Sequence, residues 1–296
     1  MKVGLSIPIG ERGPELIAWR YREMRELAQA AEGGGLDSIW IADHLFNRPD
    51  TGAERGVWES MSMLAALADA TQRVELGPLV LCTPFRNPGM IAWAANALDE
   101  ISDGRFVLGM GAGWHQPEFD AFGFEFGHRV SVLEDTLEII APLLRDGHVA
   151  YEGRFASGAA TLHPRGPRPK GPPIMTAGAG PRMLRLAARF ADRYNSAWYG
   201  LPTDEFRAER GRLQEACAAI GRHPATIDIS VGVEVLEPPA AAANGPTSLV
   251  GRAPQLLAAL RDWESEGVSE VICRMTPPSL ALAAEISRAA QELHAG

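Results

Sequence analysis

Short apolar runs alternate with longer amphipathic segments along the whole chain. Continuous apolar runs are typical of strands buried on both faces, whereas apolar residues that recur every three or four positions are typical of helices packed on one side. The runs that predict strands are Lys2–Ile9, Asp37–Ala42, Val74–Cys82, Arg105–Gly111, Pro173–Gly178, Arg193–Trp198, Thr226–Leu236 and Ser269–Met275. The segments that predict helices follow them in turn: about Pro14–Gly33, Trp58–Thr71, Pro88–Ile101, Arg129–Leu144, Pro181–Ala191, Asp204–Ile220, Ala253–Glu266 and Ser279–Leu293.

Eight strand–helix alternations are the number that builds a (β/α)8 TIM barrel. A doubly wound sheet is the alternative α/β fold, but it would normally carry a GxGxxG or GxxxxGK loop after an early strand. The glycines of residues 109–113 have a different spacing, and no Gly-Lys-Ser/Thr sequence occurs. We therefore predict an α/β protein with a TIM-barrel fold and insertions, formed by a single domain over residues 1–296.

Three excursions exceed a minimal barrel. Residues 114–128 follow the fourth strand and are rich in aromatic side chains. Residues 148–170 have the pattern of a hairpin and a Pro/Arg/Gly loop, and residues 237–250 form a Pro/Ala/Gly-rich loop after the seventh strand. Because loops after strands lie on the face of a barrel that carries the active site, we expect the first and third excursions to cover a pocket.

Charge and composition exclude several classes of protein. The 28 basic and 37 acidic residues give a formal net charge of −9, which disfavours sequence-independent nucleic-acid binding. No apolar run is long enough to span a membrane, and the first residues predict no secretory signal. The cysteines Cys82, Cys217 and Cys273 are widely separated, as in reduced cytosolic proteins. We expect a cytoplasmic protein without nucleic-acid or membrane partners.

Asp43 and His44 come directly after the second predicted strand. A barrel places this position at its catalytic face. Histidine titrates near neutral pH and can therefore transfer a proton under physiological conditions. The alternative is an Asp-His turn that only ends the strand.

The end of the third predicted strand carries candidate ligand contacts. Leu79, Val80 and Leu81 form an apolar stretch that could serve as a wall for a flat ring, and Thr83 beyond it could bind a ligand. A buried strand followed by a turn and the helix cap Asn87-Pro88 explains the same residues.

The fourth predicted strand ends in glycines and aromatic residues. Gly111 and Gly113 leave space for another backbone or for a planar ligand, and Trp114 and His115 follow them. Small residues that serve only the packing of the barrel interior are the alternative.

The turn after the fifth predicted strand has the composition of a phosphate site. Gly178, Ala179 and Gly180 precede Pro181, which suits the first position of a helix. Free N–H groups at such a helix start bind phosphate, and Arg182 could supply a counter-charge. A glycine-containing turn beside an arginine that faces solvent is the alternative.

The sequence lacks the residues that several other kinds of catalysis require. A Schiff-base enzyme needs a buried lysine at a strand end, whereas Lys2 and Lys170 lie elsewhere. The seven histidines form no HxH or HExxH motif, so no metal site is expected, and no GxSxG elbow occurs. The remaining features suit a phosphorylated cofactor that supplies the chemistry.

These motifs together resemble the bacterial-luciferase-like superfamily, whose members use FMN or the deazaflavin coenzyme F420. The resemblance covers the whole chain. It is carried by Trp40–His44, Thr83–Pro88, Leu108–His115, Gly178–Arg182 and Ala191–Asn195.

The resemblance implies a position for each part of the cofactor. The ring would lie against the third strand near Leu79–Leu81, where relatives often have a non-proline cis peptide bond, and the phosphate would lie at Ala179-Gly180. His44 would assist proton transfer, and Asp43 would help to position the ring or that histidine.

The sequence departs from one branch of the superfamily. In the sugar-phosphate dehydrogenases, a catalytic glutamate follows the Gly-x-Gly of the fourth strand. Trp114 stands at that position here, and Glu118, four residues further on, is not expected to reach the same point.

We favour an F420-dependent oxidoreductase that transfers a hydride between the deazaflavin and a small organic substrate. The lysine-poor, alanine- and arginine-rich composition and the residues that form the motifs resemble the F420-using members more than the FMN-using members. An FMN-dependent two-component monooxygenase, supplied with reduced flavin by a partner reductase, is the alternative hypothesis. A non-catalytic flavin-binding protein is a third hypothesis, and a homodimer is compatible with each of them.

Overall fold

Parallel strands surrounded by helices form a barrel in the computed structural model of the protein, which describes residues 1–12, 15–48, 53–238 and 247–296. The strand segments of the barrel are β1 (Lys2–Ser6), β2 (Ser38–Ile41), β3 (Glu75–Pro78), β4 (Leu81–Cys82), β5 (Leu108–Gly111), β6 (Ile174–Ala177), β7 (Arg193–Tyr199), β8 (Asp228–Leu236) and β9 (Glu270–Thr276). The helices are α1 (Tyr21–Gly33), α2 (Ser60–Ala70), α3 (Pro88–Ile101), α4 (Gln116–Phe122), α5 (Arg129–Asp146), α6 (Pro181–Phe190), α7 (Asp204–Ala218), α8 (Ala253–Ser265) and α9 (Leu280–Ala295).

The barrel closes through its third strand, which consists of β3 and β4. The order of neighbours is β3-β2-β1-β9-β8-β7-β6-β5-β4, with parallel pairing throughout. Leu76 of β3 also forms a parallel bridge with Phe106, just before β5. The two ends of the sheet therefore meet, and the prediction of a TIM barrel is confirmed.

The third strand differs from the continuous run predicted over Val74–Cys82. β3 ends at Pro78, β4 begins at Leu81, and the peptide bond between Leu79 and Val80 is cis. Proline lacks the N–H that a ladder needs, so a strand tends to end where one occurs. The interruption exposes two apolar residues at the end of the barrel.

The first helix begins later than predicted. Glu11–Arg12 pairs antiparallel with Ile17–Ala18, and α1 begins only at Tyr21. The Glu23 carboxylate accepts a hydrogen bond from the Arg20 N–H at 2.8 Å and so stabilises this later start. The proposed start at Pro14 lies outside the described residues.

The three predicted excursions have different structures. Residues 114–128 contain α4, and residues 148–170 contain an antiparallel hairpin, His148–Glu152 with Ser157–Thr161. Within 237–250, Leu249–Val250 pairs with the end of β8, and residues 239–246 lie outside the described part of the chain. Among the helices that are described, none has the length and apolar character needed to cross a membrane.

The main hydrophobic core lies between the strands and the helices. A separate cluster of Trp40, Val107, Met175 and Ile272 fills the interior of the barrel. Glycines let neighbouring strands approach there: a Cβ on Gly109 would lie 2.0 Å from the Pro78 carbonyl oxygen.

Charged residues occupy the opposite end of the barrel from the strand interruption. Glu75, the first residue of β3, accepts two hydrogen bonds of 2.8 Å from Arg193, the first residue of β7, and pairs with Lys2 at 2.8 Å. Burial raises the pKa of Glu75, but Arg193 and Lys2 outweigh burial and lower the pKa to about 2. These pairs stabilise the end of the barrel at which the strands begin.

Replacing Glu75 with Gln should destabilise the protein in a pH-dependent manner. Because the pKa is lower in the folded state, the carboxylate stabilises the fold above its ordinary pKa of 4.5, and this stabilisation is lost as the pH falls towards about 2. We expect E75Q to lower the free energy of unfolding by on the order of 3 kcal/mol at pH 7. Urea unfolding at several pH values measures this difference, which should shrink below pH 4.5.

The control is Glu26→Gln, because Glu26 is exposed on α1. It should change the stability by less than about 0.5 kcal/mol. A loss in E75Q that stays constant from neutral to acidic pH would contradict the assignment.

Candidate active site

A cavity of about 400 Å³ opens at the end of the barrel where the strands finish. Barrel enzymes carry their active sites on this face. Its lining residues come from the ends of six strand segments and from the loops and helices above them: Asp43, His44, Leu79, Val80, Cys82, Gly111, Ala112, Gly113, Trp114, Glu118, Arg129, Val130, Ala177, Gly178, Ala179, Met183, Asn195, Ser196, Ala197, Trp198 and Glu209. A volume of this size is typical of small-molecule and cofactor sites.

The structure brings most of the sequence-predicted site residues together. Those that line the cavity are Asp43, His44, Leu79, Val80, Gly111, Gly113, Trp114, Gly178 and Ala179. Those that do not are Leu81, Thr83, His115, Gly180 and Arg182. Leu81 is fully buried in the main core, and the hydroxyl of Thr83 donates to the Gly111 carbonyl at 3.1 Å. Thr83 therefore has a partner within the protein.

His44 is paired with a buried carboxylate. Its Nδ1 lies 3.0 Å from Oε2 of Glu118, which is 2% exposed. The expectation that Glu118 does not reach the point of the catalytic glutamate in the sugar-phosphate dehydrogenases stays a prediction. Glu118 lies in the first turn of α4 and reaches His44. One helical turn brings it back towards β2, which spacing from the Gly-x-Gly motif alone did not indicate.

The environment of Glu118 favours its ionised form. Its Oε1 accepts hydrogen bonds from the backbone N–H groups of Leu45 and Phe46. Burial raises the pKa of Glu118, but the hydrogen bonds from His44 and from these two N–H groups outweigh burial and hold the pKa below its usual range.

The two residues that begin the first excursion have different environments. Trp114 is 69% exposed, and its ring meets the His44 ring edge-on with centroids 5.6 Å apart. His115 is buried, and its Nε2 accepts a hydrogen bond from the Arg48 N–H at 3.1 Å. Trp114 therefore presents a flat surface at the cavity, whereas His115 fixes the loop that follows His44.

Asp43 accepts hydrogen bonds from residues that support the wall of the cavity and not from His44, which follows it in sequence. Its two oxygens accept hydrogen bonds from both Nη atoms of Arg86 at 2.7 and 2.8 Å, from the Ser60 hydroxyl at 2.6 Å and from the Cys82 N–H at 2.8 Å. The sequence-based expectation was that Asp43 positions the ring or His44. That expectation stays a prediction, and the contacts in the structure connect the end of β2 to β4.

Gly111, the last residue of β5, and Gly113 just after it leave space that atoms of Val80 and Cys82 occupy. A Cβ on Gly111 would lie 2.6 Å from Cγ2 of Val80. Gly113 has a φ of +79°, and a Cβ there would lie 2.5 Å from Sγ of Cys82. Burial and the carboxylates of Asp43 and Glu118 raise the pKa of the Cys82 thiol, so this side chain is not a thiolate nucleophile.

The predicted phosphate cradle lies at the start of α6. Gly180 precedes Pro181, and the space in which a Gly180 Cβ would lie is open to 4 Å. Arg182 turns away to Glu134, with Nε 3.0 Å from Oε2, and to the Ser131 hydroxyl. The cradle is accessible, but Arg182 already has an anionic partner.

Arg129 is the cation that lines the cavity. Its Nε donates to the Gly113 carbonyl at 3.2 Å, its Nη1 donates to the Phe126 carbonyl at 3.1 Å, and within the described residues it has no carboxylate partner. The sequence places Arg129 only at the start of a helix. The sequence did not indicate that the start of α5 and the cradle at the start of α6 lie at the same cavity.

Polar side chains form the part of the cavity near β7. Asn195 donates to the Ser230 hydroxyl at 3.0 Å, and Ser196 lies 2.8 Å from the Tyr199 hydroxyl. Glu209 accepts a hydrogen bond of 2.7 Å from Tyr194. Sequence reasoning did not select these residues as site candidates. Within the described residues, no group of three His, Cys, Asp or Glu side chains is arranged to hold a metal ion.

A cavity with apolar walls and a few polar side chains at the strand ends of a barrel is the usual site of a small-molecule substrate or cofactor. Residues 1–244 match the family model described as luciferase-like monooxygenase. The chain therefore belongs to the luciferase-like monooxygenase family, whose members are oxidoreductases and monooxygenases.

Two curated relatives illustrate the range of this family. The chain is 34% identical over 174 residues to a 5,10-methylenetetrahydromethanopterin reductase of Archaeoglobus fulgidus, covering 58% of this chain and 48% of the relative. It is 34% identical over 242 residues to the pyrimidine monooxygenase RutA of Methylobacterium radiotolerans, covering 75% of this chain and 61% of the relative. The matches thus span only about half to three fifths of the relatives' own lengths.

Solved structures share the fold over nearly the whole chain. The F420-dependent tetrahydromethanopterin reductase of Methanopyrus kandleri has a TM-score of 0.79 at 19% identity, covering 99% of this chain and 98% of that one. An F420-dependent secondary alcohol dehydrogenase has a TM-score of 0.81 at 17% identity, covering 97% of each chain. The monooxygenase RslO1 of Streptomyces bottropensis has a TM-score of 0.81 at 21% identity, covering 100% of this chain and 99% of that one.

Replacing Asp43 with Asn should destabilise the cavity wall. An amide leaves Arg86 without its buried anion and can accept fewer hydrogen bonds from Ser60 and Cys82. We expect the free energy of unfolding to fall by about 2 to 3 kcal/mol. Chemical denaturation measures the change.

Glu59→Gln is the matched control, because Glu59 pairs with the same arginine at 2.7 Å but is 45% exposed. Its loss should cost less than about 1 kcal/mol. Equal losses in the two variants would contradict the special role of Asp43.

Proposed function

We propose that the protein is an F420-dependent oxidoreductase that transfers a hydride between the deazaflavin and a small organic substrate. The observation that carries the proposal is the His44–Glu118 pair beside an apolar wall, in the same cavity as an accessible helix start. A further curated relative supports the choice of cofactor: the chain is 31% identical over 199 residues to an F420-dependent glucose-6-phosphate dehydrogenase of Amycolatopsis mediterranei, covering 66% of this chain and 56% of the relative.

The residues of the cavity fit a flat ring attached to a phosphate. Leu79 and Val80 offer an apolar surface on one side, and the exposed ring of Trp114 offers another. At the other end, the N–H groups at the start of α6 are suited to an anion. Arg129, rather than Arg182, would supply the counter-charge there.

His44 would handle the proton that accompanies hydride transfer. When bound, F420 supplies a ring carbon that accepts or releases the hydride. The Nε2 of His44 makes no hydrogen bond within the described residues, and its ring lines the cavity, so this atom can accept a proton from the substrate or return one.

Replacing Arg129 with Met should weaken cofactor binding. The variant retains a long apolar side chain but loses the cation, and a charge-assisted hydrogen bond is worth about 1.5 to 3 kcal/mol. We expect the Kd for F420, measured by fluorescence titration, to rise by about 10- to 100-fold.

Arg182→Met is the matched control, since Arg182 is paired with Glu134. It should change the Kd by less than about threefold. A larger effect of R182M than of R129M would show that Arg182 supplies the counter-charge, as the sequence suggested.

Replacing His44 with Ala should reduce turnover while leaving cofactor binding intact. Loss of a general acid–base residue costs about 100-fold or more in rate. Absorbance of the deazaflavin, followed with a panel of small alcohols and unsaturated carbonyl compounds, measures the rate. Unchanged turnover in H44A would remove this residue from the mechanism.

A two-component FMN monooxygenase is the second candidate. It is favoured by the match to RutA, which covers more of this chain than the match to the methanopterin reductase does. This function would require a partner reductase to supply reduced flavin, and it predicts oxygen consumption with reduced FMN.

Parallel titrations with F420 and FMN distinguish the candidates. Selective binding of F420 supports hydride transfer, and selective binding of FMN with oxygen consumption supports the monooxygenase. Tight binding without turnover of any substrate favours a non-catalytic flavin-binding protein. If neither cofactor binds, the assignment of the cradle at Ala179-Gly180 is wrong.

A further inference from the structure

Among the residues that line the cavity, Glu118 is the carboxylate that contacts the candidate proton-transfer group. We infer that Glu118 is a positioning residue that fixes His44 as the Nδ1–H tautomer and leaves Nε2 as the proton acceptor in the cavity. The role of Nε2 in a reaction rests on the proposed function. The tautomer itself does not.

The tautomer follows from the hydrogen-bonding capacity of a carboxylate. An ionised carboxylate only accepts hydrogen bonds, so the atom 3.0 Å from Oε2 must donate. That atom is Nδ1 of His44, and in a neutral imidazole the other nitrogen then carries the lone pair. The lowered pKa of Glu118 keeps the carboxylate ionised at neutral pH.

The same carboxylate also fixes the backbone that carries the histidine. Its Oε1 accepts hydrogen bonds from Leu45 and Phe46, the two residues after His44. Glu118 therefore holds the imidazole ring and the adjoining backbone together. Such a double contact limits the rotation of the ring about its side-chain bonds.

The rest of α4 explains why Glu118 can be held so firmly. The next residue, Phe119, is fully buried and packs against Phe85 and Phe126 with ring centroids 5.0 Å apart in both cases. These rings hold α4 in place. The orientation of His44 therefore depends on the position of residues 114–128, which contain this helix.

The other titratable groups nearby are committed to other partners. The ring of His115 lies 6.3 Å from that of His44, but its Nε2 is taken by the Arg48 N–H. The Cys82 thiol stays protonated because its pKa is raised, and Asp43 is paired with Arg86. Glu118 is therefore the charged group that selects the tautomer.

The decisive variant is Glu118→Gln. The amide oxygen can still accept from Leu45 and Phe46, but the amide nitrogen would donate to Nδ1 and so force the hydrogen of His44 onto Nε2. Long-range ¹H–¹⁵N spectra of ¹⁵N-histidine-labelled protein distinguish the two tautomers, and comparison with His44→Gln assigns the signal. This measurement needs neither cofactor nor substrate.

We expect His44 to be the Nδ1–H tautomer in the wild-type protein and the Nε2–H tautomer in E118Q. Asp120→Asn is the matched control, since it removes an exposed carboxylate from the same helix and should leave the spectrum unchanged. A wild-type His44 in the Nε2–H form would overturn the inference even if E118Q failed to fold. An unchanged tautomer in folded E118Q would do the same.

Activity provides a second readout once a substrate is known. E118Q should lower kcat by about 100-fold or more, while KM and the cofactor Kd change by less than about threefold. Adding E118Q to H44A should cost nothing further, because both changes remove the same function. If neither cofactor binds but the tautomers are as expected, the proposed function fails and the positioning role stands.

Discussion

The carboxylate of Asp43 connects the second strand of the barrel to the third where the third strand is interrupted. At this point, the ladder between β2 and the third strand stops at Pro78. The hydrogen bond from the Cys82 N–H to Asp43 connects β2 to the strand segment beyond the interruption. Arg86 then neutralises the buried charge, and breaking such a pair costs far more than the pair itself contributes. The apolar wall of Leu79 and Val80 depends on this connection.

One end of the barrel carries ion pairs that stabilise the fold, and the other end carries the candidate active site. The ion pairs of Glu75 with Arg193 and Lys2 lie where the strands begin, and the fully buried cluster around Trp40 separates them from the cavity. At the other end, polar groups either support the walls, as Asp43 does, or face the cavity, as His44 does. This division allows loops such as residues 114–128 to shape the site without weakening the barrel.

The architecture was predictable because each strand and helix has a strong local pattern. The cap at Asn87 and the helix Pro88–Ile101 have the predicted bounds, since both depend on residues close in sequence. The split of the third strand had a signal in Pro78, which the continuous apolar run concealed. The cis peptide bond between Leu79 and Val80 agrees with what the resemblance implied.

Long-range contacts were not predictable in the same way. Arg182 has the right position in sequence for a phosphate, but its neighbour on α5 is Glu134, and Arg129 from the start of the same helix lines the cavity instead. Glu118 reaches His44 only because α4 turns back over the cavity. Both results depend on how helices meet in space, which the spacing of residues along the chain does not specify.

A crystal structure of the protein with bound F420 would show directly whether the cavity holds the cofactor beside His44. We expect the deazaflavin ring to lie against Leu79 and Val80, with its reactive face within reach of a substrate that contacts Nε2 of His44. The phosphate should lie at the start of α6 beside Arg129. A cofactor bound elsewhere, or a ring whose reactive face points away from His44, would contradict this expectation.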